Sequence, residues 1–424
     1  MKTRLPIRWL IAVLLLLLSV LNYVDRQALS ILATTIQKEL HLSDNDYARV
    51  GQAFLLCYTI AYFFAGRVVD RFGPRLAETV FITWWSVANM LTALSSGFLS
   101  LVGFRSLLGI GEPGHYAVSA KVVGAWFPPK EKGVAAGMYM MGGTLGAAIA
   151  APLIAWLALR FGWRAAFVAT GAMGIAAAAI WCWIYRSPGS HRWVGEEEKE
   201  LLSSHGLMEN AATKAPPPPF LTLIRWKPLW LVMGVRMITD PVWYFYLVWF
   251  AKYLQEKRGM TLGEVGGTLW IVFVAADIGC LTAGFASGHF IRKGVAPVNA
   301  RLRVICATAV MMGLSFVIPM VPGAGWAIAF ASLFAGCVMM FMASCVTLPL
   351  DLFPSGSLGS AQGLIGMGGS IGGFFSTGLI GAVLTQHHSY DGLFTTMSFL
   401  HPLAALLLVL LLPRAVAHFR TTHP

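Results

Sequence analysis

Hydrophobic positions along the chain form long runs rather than the narrow stripes of a soluble protein. Residues 10–24, 167–184 and 403–412 are nearly free of ionisable side chains. A helix of about 18 or more apolar residues crosses a hydrocarbon layer about 30 Å thick. Because lipid offers the backbone no hydrogen-bond partner, the pattern predicts membrane-spanning helices.

The apolar runs predict twelve spans, at about residues 8–33, 46–66, 76–96, 99–124, 133–157, 163–185, 229–253, 264–288, 302–320, 325–348, 358–385 and 391–413. The first run has the basic start and leucine-rich stretch of a secretory signal. It lacks a small-residue cleavage site and continues into more apolar sequence. We therefore interpret it as the first span.

Composition and charge agree with this pattern. The chain is 57% hydrophobic and 12% charged, about half the charged fraction of a soluble domain. The net charge of +12 would suggest a nucleic-acid partner. With both termini in the cytoplasm, however, most Lys and Arg fall in cytoplasmic segments, which is the positive-inside pattern. We expect a multi-pass protein of a bacterial inner membrane, both termini cytoplasmic, without a nucleic-acid partner.

A polar segment at residues 186–227 separates two halves, 1–185 and 228–424. It contains an acidic run at 196–198 and a proline tract at 216–219, which together are typical of a solvated cytoplasmic connector. We therefore expect an N-terminal six-helix bundle, a linker and a C-terminal six-helix bundle.

The two halves share a glycine pattern, displaced by 226 residues. Phe127 and Pro128 precede the first copy, and Phe353 and Pro354 precede the second. The copies are Gly133, Gly137, Gly142, Gly143 and Gly146, then Gly359, Gly363, Gly368, Gly369 and Gly372. Both lead from a cytoplasmic loop into a span, so the repeats are parallel, a known transporter plan. The predicted fold is an all-α integral membrane protein with twelve transmembrane helices in two parallel-repeat six-helix bundles.

The glycines could suggest a nucleotide site, but no strand precedes them and no P-loop lysine follows. Glycine at every third or fourth position instead lets helices approach closely. The six cysteines lie in apolar stretches without CxxC spacing, which indicates buried small side chains. His115 stands alone near Glu112, and the pair at 387–388 has no acidic cluster nearby. We predict no cofactor, no metal site and no enzymatic activity.

Residues 66–75 resemble the signature loop of the major facilitator superfamily. The matching positions are Gly66, Asp70, Arg71, Gly73 and Arg75. The resemblance implies a tight cytoplasmic turn that gates the transporter, with charges that bind a neighbouring helix end. The corresponding loop of the second half has Gly288 where the acid would stand, which puts a second loop of this kind in doubt.

Further motifs resemble the anion:cation symporter family, over nearly the whole chain. They are residues 22–26, residues 105–112 and residues 126–128. That family carries sugar acids and other organic anions, usually with protons. Residues 236–250 and 276–280 are most similar to its hexuronate branch.

Ionisable side chains at membrane depth cost several kcal/mol and usually mark a pathway or a paired support. Arg105 and Glu112 are seven residues apart, within roughly 20° of one helix face, so Arg105 is expected to reach toward Glu112. Glu112 and Asp25 are the predicted protonation sites, as the resemblance also implies, with Arg105 as a partner in coupling. The alternative is that both acids only hold helices together. Lys121 points to the other face and is expected to support the helix.

An anionic substrate needs a planar, bidentate cation, which Arg supplies better than Lys. Arg26 is the leading candidate for the substrate carboxylate and is expected to pair with Asp25 until a proton neutralises that acid. Asn22 lies one turn before Arg26 on the same face. Tyr23 and Tyr58 could contact sugar hydroxyls, and the resemblance implies a substrate contact for Tyr58.

The seventh span adds candidates from the second half. Arg236 either binds a second anionic or keto group or pairs with Asp240 at i+4. Tyr244 and Trp249, with Trp243, could stack on a sugar face or simply pack. Asp277 is expected to be a support charge.

Together these features predict a proton-coupled symporter for hexuronates such as glucuronate or galacturonate, acting as a monomer on a small organic anion and protons. A carrier of an aldonate, aldarate or aromatic acid remains an alternative. So does a non-transporting membrane sensor of such a ligand.

Overall fold

The computed structural model describes residues 6–208, 220–260, 262–387 and 390–422. Within these ranges the chain is helical almost throughout and contains no strand. The proline tract at 216–219 and His388 lie outside the described residues.

The first half consists of α1 (Ile7–Ile31), α2 (Ala33–Glu39), α3 (Asp44–Thr92), α4 (Phe98–Gly111), α5 (Gly114–Trp126), α6 (Pro129–Phe161) and α7 (Trp163–Ile184). α3 contains the second and third predicted spans, separated at Gly73, where φ is 78° and ψ is 160°. Glycine adopts this backbone readily, and the break lies in the predicted tight turn. The fourth predicted span is divided between α4 and α5, because Pro113 has no N–H to continue the helix.

The remaining helices are α8 (Glu196–Ser204), α9 (Phe220–Leu223), α10 (Lys227–Val248), α11 (Phe250–Arg258), α12 (Leu262–Thr268), α13 (Trp270–Arg292), α14 (Pro297–Met312), α15 (Gly323–Leu352), α16 (Leu358–His387) and α17 (Asp391–Thr422). Each predicted span from the seventh to the twelfth overlaps at least one of them. By length and composition, eight helical segments of the described residues could each cross a membrane.

The chain divides into two compact units. The first comprises Met1–Pro128, Met138–Pro218 and Pro354–Gly363, and the second comprises Pro129–Gly137, Pro219–Phe353 and Leu364–Pro424. α6 therefore begins in the second unit and continues in the first, whereas α16 begins in the first and continues in the second. These two helices carry the glycine repeat.

Glycines of the repeat bring helices together within each unit. In the first unit, a Cβ at Gly146 would lie 2.7 Å from the carbonyl oxygen of Val20, so α6 packs directly on α1. In the second unit, a Cβ at Gly368 would lie 2.6 Å from the carbonyl oxygen of Met233, so α16 packs on α10 in the same way. The predicted packing role of the glycines is confirmed.

Apolar side chains of the first unit lie both in its interior and on its outer surface. Val24, Leu101 and Phe167 belong to a buried cluster built from α1, α4 and α7. Leu99 and Leu159 are 81% and 87% exposed on the surface. Large apolar side chains this exposed fit a protein whose outer surface meets lipid rather than water.

The linker is only partly the solvated connector that the sequence predicted. Glu198 in α8 is buried, and its carboxylate accepts hydrogen bonds from the backbone N–H groups of Ile7 and Arg8 at 2.9 and 3.1 Å. The Arg8 guanidinium adds a third bond at 3.0 Å. An anion at a helix N-terminus satisfies unpaired N–H groups and the helix dipole, so Glu198 fixes the start of α1.

Candidate functional site

One face of α1 carries polar side chains inside the first unit. Ser19, Asn22 and Arg26 follow at the i, i+3 and i+7 spacing of a single face. Asn22 is fully buried, and neither its side-chain oxygen nor its nitrogen has a hydrogen-bond partner among the described residues. A buried amide without partners is costly, so this position is suited to a polar ligand.

Arg26 forms an ion pair with Glu112 at the break between α4 and α5. The Arg26 Nε donates to Glu112 Oε2 at 2.8 Å, and Arg26 Nη2 lies 2.6 Å from the same oxygen. The Arg26 Cζ also lies 4.8 and 4.7 Å from the ring centroids of Tyr23 and Tyr58. The predicted substrate residues of α1 and α3 thus surround one guanidinium.

Arg105 interacts electrostatically with Glu112, in the direction the sequence predicted, but its hydrogen bonds go elsewhere. Its guanidinium donates to the backbone carbonyl oxygens of Asp25 and Arg26, at 3.4 and 3.1 Å. The prediction treated the fourth span as one continuous helix, whereas α4 ends at Gly111, one residue before Glu112. Arg105 therefore holds the backbone of α1, while Arg26 takes the carboxylate of Glu112.

Asp25 does not pair with Arg26, which corrects a second prediction. Successive residues on a helix point about 100° apart, so the two side chains face different neighbours. Asp25 is buried, and its Oδ1 accepts from Asn89 Nδ2 at 2.7 Å. Its Oδ2 has no hydrogen-bond partner among the described residues. Asn89 also donates to Thr170 Oγ1 at 2.8 Å.

A second buried polar group escaped the sequence analysis. His115 Nδ1 lies 2.5 Å from Glu78 Oε1, and His115 Nε2 lies 2.7 Å from Ser19 Oγ. All three residues are fully buried. The sequence placed Glu78 at the margin of a span and treated His115 as isolated, because nothing in sequence spacing connects α1, α3 and α5. The only available signal was an acid just inside a predicted span.

The order Ser, His, Glu is that of hydrolase triads, which need a nucleophile that substrate can reach. Ser19 is enclosed, and Gly142 of α6 packs directly against its side chain. This arrangement favours proton chemistry over attack on a substrate.

In the second unit, α10 contains the ion pair that the sequence had left as one of two possibilities. Arg236 Nε donates to Asp240 Oδ1 at 2.8 Å, and Arg236 Nη2 donates to Asp240 Oδ2 at 2.6 Å. Both side chains are at least nine-tenths buried. The i+4 pairing of Arg236 with Asp240 is therefore present. Trp243, farther along the same helix, packs edge-on against Phe273, with ring centroids 6.2 Å apart.

Two further aromatic candidates of the second unit lie near the end of α10. The Tyr244 ring packs against Gly373 of α16, which leaves no room for a larger side chain there. Trp249 follows the last residue of α10, and Lys252 Nζ lies 5.6 Å from the centroid of its ring. Both side chains are partly exposed.

The signature loop of the first unit binds a helix end, as the sequence predicted. Asp70 Oδ1 accepts from the Gly359 N–H at 3.0 Å, and Oδ2 accepts from the Ser360 N–H at 2.7 Å. Lys121 Nζ donates to Asp70 Oδ1 at 2.7 Å, which gives the support role expected for Lys121 a specific partner. Gly66 allows the close approach, because a Cβ there would overlap the backbone of Gly359.

The other residues of the loop have separate contacts. Arg75 Nε donates to the carbonyl oxygen of Cys182 at 2.9 Å, and so ties the start of the third span to the end of α7. Arg71 is exposed, with its guanidinium 5.5 Å from the ring centroid of Phe72.

In the second unit, Gly288 stands where the first loop has its acid, and basic side chains fix the start of α6 instead. Arg301 Nη2 donates to the carbonyl oxygen of Pro129 at 2.9 Å, and Arg301 Nε donates to Asp351 Oδ2 at 3.3 Å. Lys132 Nζ donates to the carbonyl oxygen of Leu350 at 2.8 Å. The span predicted at about 302–320 left Arg301 in the preceding loop, whereas α14 already begins at Pro297 and Arg301 is fully buried.

Comparisons with known proteins agree with this architecture. The chain is 29% identical over 279 residues to a galacturonate transporter of Dickeya chrysanthemi, covering 66% of this chain and 81% of that protein. It is 26% identical over 403 residues to a hexuronate transporter of Escherichia coli strain K12, covering 95% of this chain and 93% of that protein. The solved structure of a proton:xylose symporter bound to 6-bromo-6-deoxy-D-glucose shares the fold, with a TM-score of 0.74, 15% identity and 95% coverage of both chains.

These likenesses confirm the predicted all-α membrane fold of twelve spans and the prediction of a transport protein rather than an enzyme. The family profile of the Major Facilitator Superfamily matches residues 15–377. The chain therefore belongs to the major facilitator superfamily, as a multi-pass membrane transporter of a small organic molecule.

Proposed function

We propose that this transporter is a proton-coupled symporter of a hexuronate such as glucuronate or galacturonate, working by alternating access. The observation that carries the proposal is the Arg26–Glu112 ion pair beside the Asn22 amide, which has no hydrogen-bond partner in the described part of the chain. The names of the galacturonate and hexuronate transporters that the chain resembles support the substrate class.

A hexuronate presents one carboxylate on a ring of hydroxyl groups, and the α1 site offers a match to each part. Arg26 supplies a planar guanidinium for the carboxylate. Asn22 supplies two N–H donors and one carbonyl acceptor for hydroxyl groups. Tyr23 and Tyr58 supply aromatic rings within 5 Å of the guanidinium carbon, 4.8 and 4.7 Å between Cζ and the ring centroids.

Coupling follows from competition for Arg26. In the absence of substrate, Glu112 neutralises the Arg26 guanidinium. A proton on Glu112 removes that charge and frees Arg26 for the substrate carboxylate, so proton and anion bind together. Asp25 is the second proposed protonation site, since one of its buried oxygens has no partner among the described residues. Arg105 positions Asp25 and Arg26, because its guanidinium donates hydrogen bonds to their backbone carbonyl oxygens.

The remaining candidates complete the proposal. The bundles at 1–185 and 228–424 move during transport, connected by the linker at 186–227, and residues 66–75 act as a gate. Tyr244 and Trp249 contact the sugar, while Arg236 acts through its pair with Asp240 unless a substrate displaces that carboxylate. The protein works as a monomer in the inner membrane with both termini cytoplasmic.

Uptake into proteoliposomes tests the proposal. We expect labelled glucuronate or galacturonate to accumulate when the outside is acidic, and accumulation to stop when an ionophore removes the pH gradient. Aldonates, aldarates and aromatic acids belong in the same panel. Preferential accumulation of one of them would show that the substrate belongs to that class and is not a hexuronate. Binding without accumulation would identify a sensor.

A further inference from the structure

The group formed by Ser19, His115 and Glu78 lies apart from the Arg26–Glu112 pair and has no role in the function proposed above. It joins α1, α3 and α5 inside the first unit through contacts of 2.5 and 2.7 Å. Glu78 Oε2 has no hydrogen-bond partner among the described residues, so within that part of the chain the His115 imidazole is the carboxylate's one hydrogen-bond partner.

We propose that Glu78 and His115 form a second proton-binding site, whose occupancy depends on the position of α1 through Ser19. This inference rests on the proposed proton coupling. It names a proton carrier beyond the two acids discussed above and ties it to the helix that holds Arg26.

The geometry accommodates two protonation states without rearrangement. With a neutral ring, Nδ1–H donates to Glu78, Nε2 accepts from the Ser19 hydroxyl, and the net charge of the group is −1. When one proton is taken from water, Nε2–H donates to Ser19 Oγ, and the net charge becomes zero. Because a hydroxyl can donate or accept, Ser19 satisfies Nε2 in both states.

Burial decides which state is stable while the contact lasts. An uncompensated charge in a dry interior is costly, so the net-neutral, protonated state is favoured while Ser19 accepts from Nε2. If α1 moves Ser19 away, the imidazolium loses its short hydrogen bond and keeps only the longer contact with Ser119 Oγ at 3.4 Å, so the proton returns to water. Proton release is thus tied to a displacement of α1.

Ser19 and Arg26 lie on the same face of α1, seven residues and about 10 Å apart along the helix axis. A substrate that displaces Glu112 from Arg26 changes what holds α1 in place. The same helix then transmits the change to Ser19 and His115.

The titratable and charged neighbours of this group are few. From α5 the neighbour is Tyr116, whose ring centroid lies 5.6 Å from that of His115. From the break between α4 and α5 it is Glu112, whose carbonyl oxygen accepts from the His115 N–H at 3.4 Å. From α6, Tyr139 contacts Tyr116 at 6.5 Å between centroids. From α1, Asp25 and Arg26 lie about two turns beyond Ser19. The recorded partners of Glu112 and Asp25 are other groups, Arg26 and Asn89.

The test uses full-length H115Q, E78Q and S19A in proteoliposomes and in detergent. H115Q and E78Q should lose at least tenfold of gradient-driven hexuronate uptake, whereas hexuronate affinity and equilibrium exchange stay within twofold of wild type. In detergent, hexuronate binding should no longer release a proton from this site, so net hexuronate-linked proton uptake, followed with a pH indicator, should rise by one proton per transporter. S86A is the matched control, because Ser86 is another fully buried serine of the first unit without a hydrogen-bond partner among the described residues.

S19A keeps the Glu78–His115 pair and provides the answer if the other variants fail to fold. It should move the pH of half-maximal uptake downward, since the hydrogen bond to a charged ring is stronger than the bond to a neutral one. Wild-type proton uptake and an unchanged pH profile in all folded variants would overturn this inference alone.

If wild type shows no gradient-driven uptake of any anion in the panel, the proposed function fails instead. The buried group is then tested without substrate, by infrared difference spectra during a pH titration. A carboxyl band that E78Q removes and H115Q shifts supports the site. Spectra unaltered by both substitutions refute it.

Discussion

Arg26 donates from Nε to Oε2 of Glu112 at 2.8 Å, and its Nη2 lies 2.6 Å from the same oxygen. The other carboxylate oxygen, Oε1, has no hydrogen-bond partner among the described residues. The Arg26 side chain is 24% exposed, whereas that of Glu112 is fully enclosed. Arg26 is therefore the member of the pair that a solute can reach, and we propose that the enclosed Glu112 controls it.

Glu112→Gln should abolish uphill accumulation and leave hexuronate binding and exchange intact. Glutamine keeps a carbonyl oxygen near Arg26 but carries no titrating proton, so binding should also lose its dependence on pH. Gradient-driven uptake and equilibrium exchange in proteoliposomes measure the two effects separately. E197Q, at an exposed position of α8, is the control. Uphill uptake at the wild-type rate would remove Glu112 from the coupling mechanism.

Arg26→Ala should bind almost no hexuronate, and Arg26→Lys should bind weakly. Lysine keeps the positive charge but loses the planar fork that matches a carboxylate. Calorimetric titration of the purified variants gives the affinities, with R160K at an exposed position as the control. A neutral sugar of matching shape should not restore binding to Arg26→Ala. Near-native affinity in that variant would place the carboxylate site elsewhere.

The sequence predicted the fold well, because the period and length of apolar runs depend on the bilayer rather than on tertiary contacts. The site was predicted less well, for a physical reason. The sequence identified both the carboxylate of Glu112 and the guanidinium of Arg26 as candidates. Their pairing, however, depends on how α1 packs against the break at Pro113. Helix geometry within one span suggested Arg105 as the partner of Glu112, and the contact between two spans determined otherwise.

Two other residues show the same limit. Glu198 looked like part of a solvated acidic run, since neighbouring acids at 196 and 197 are exposed, but tertiary packing places it against the start of α1. Arg301 looked like a loop charge because it precedes the span predicted at about 302–320. Its burial depends on Asp351, which lies 50 residues away in sequence.

Arg236→Gln should destabilise the protein by about 3–5 kcal/mol, because it leaves the Asp240 carboxylate buried without its partner. Asp240→Asn in the same chain should recover much of that loss, since the uncompensated charge disappears. Thermal unfolding of the single and double variants measures both effects. If Arg236→Gln instead keeps the wild-type stability and loses hexuronate binding, Arg236 is a substrate ligand rather than a support.

Glu198→Gln should lower stability by about 1 kcal/mol, the usual cost of losing a helix cap. The amide of glutamine offers one acceptor where the carboxylate offers two, and it removes the favourable charge at the α1 N-terminus. Thermal unfolding at low and high salt separates the two contributions. E197Q lies one residue earlier and is exposed, so it should leave stability unchanged. Equal effects of both substitutions would show that Glu198 does not cap α1.

Asp70→Asn should slow transport far more than it weakens substrate binding. Both carboxylate oxygens of Asp70 accept backbone N–H bonds at the start of α16, and Oδ1 also holds Lys121. Asparagine keeps one acceptor and turns an NH₂ group toward an N–H donor, at a cost of about 1–3 kcal/mol. That cost falls on the conformation in which the contact exists, so it changes the conformational equilibrium rather than the substrate site.

The double variant Asp70→Asn with Lys121→Gln identifies the contact responsible. Each single substitution breaks the same ion pair, so the loss of turnover in the double variant should be smaller than the two losses combined. Hexuronate affinity by calorimetry and single-turnover uptake in proteoliposomes provide the two readouts. If affinity collapses while bound substrate is carried at the normal rate, the residues at 66–75 belong to the binding site and not to a gate.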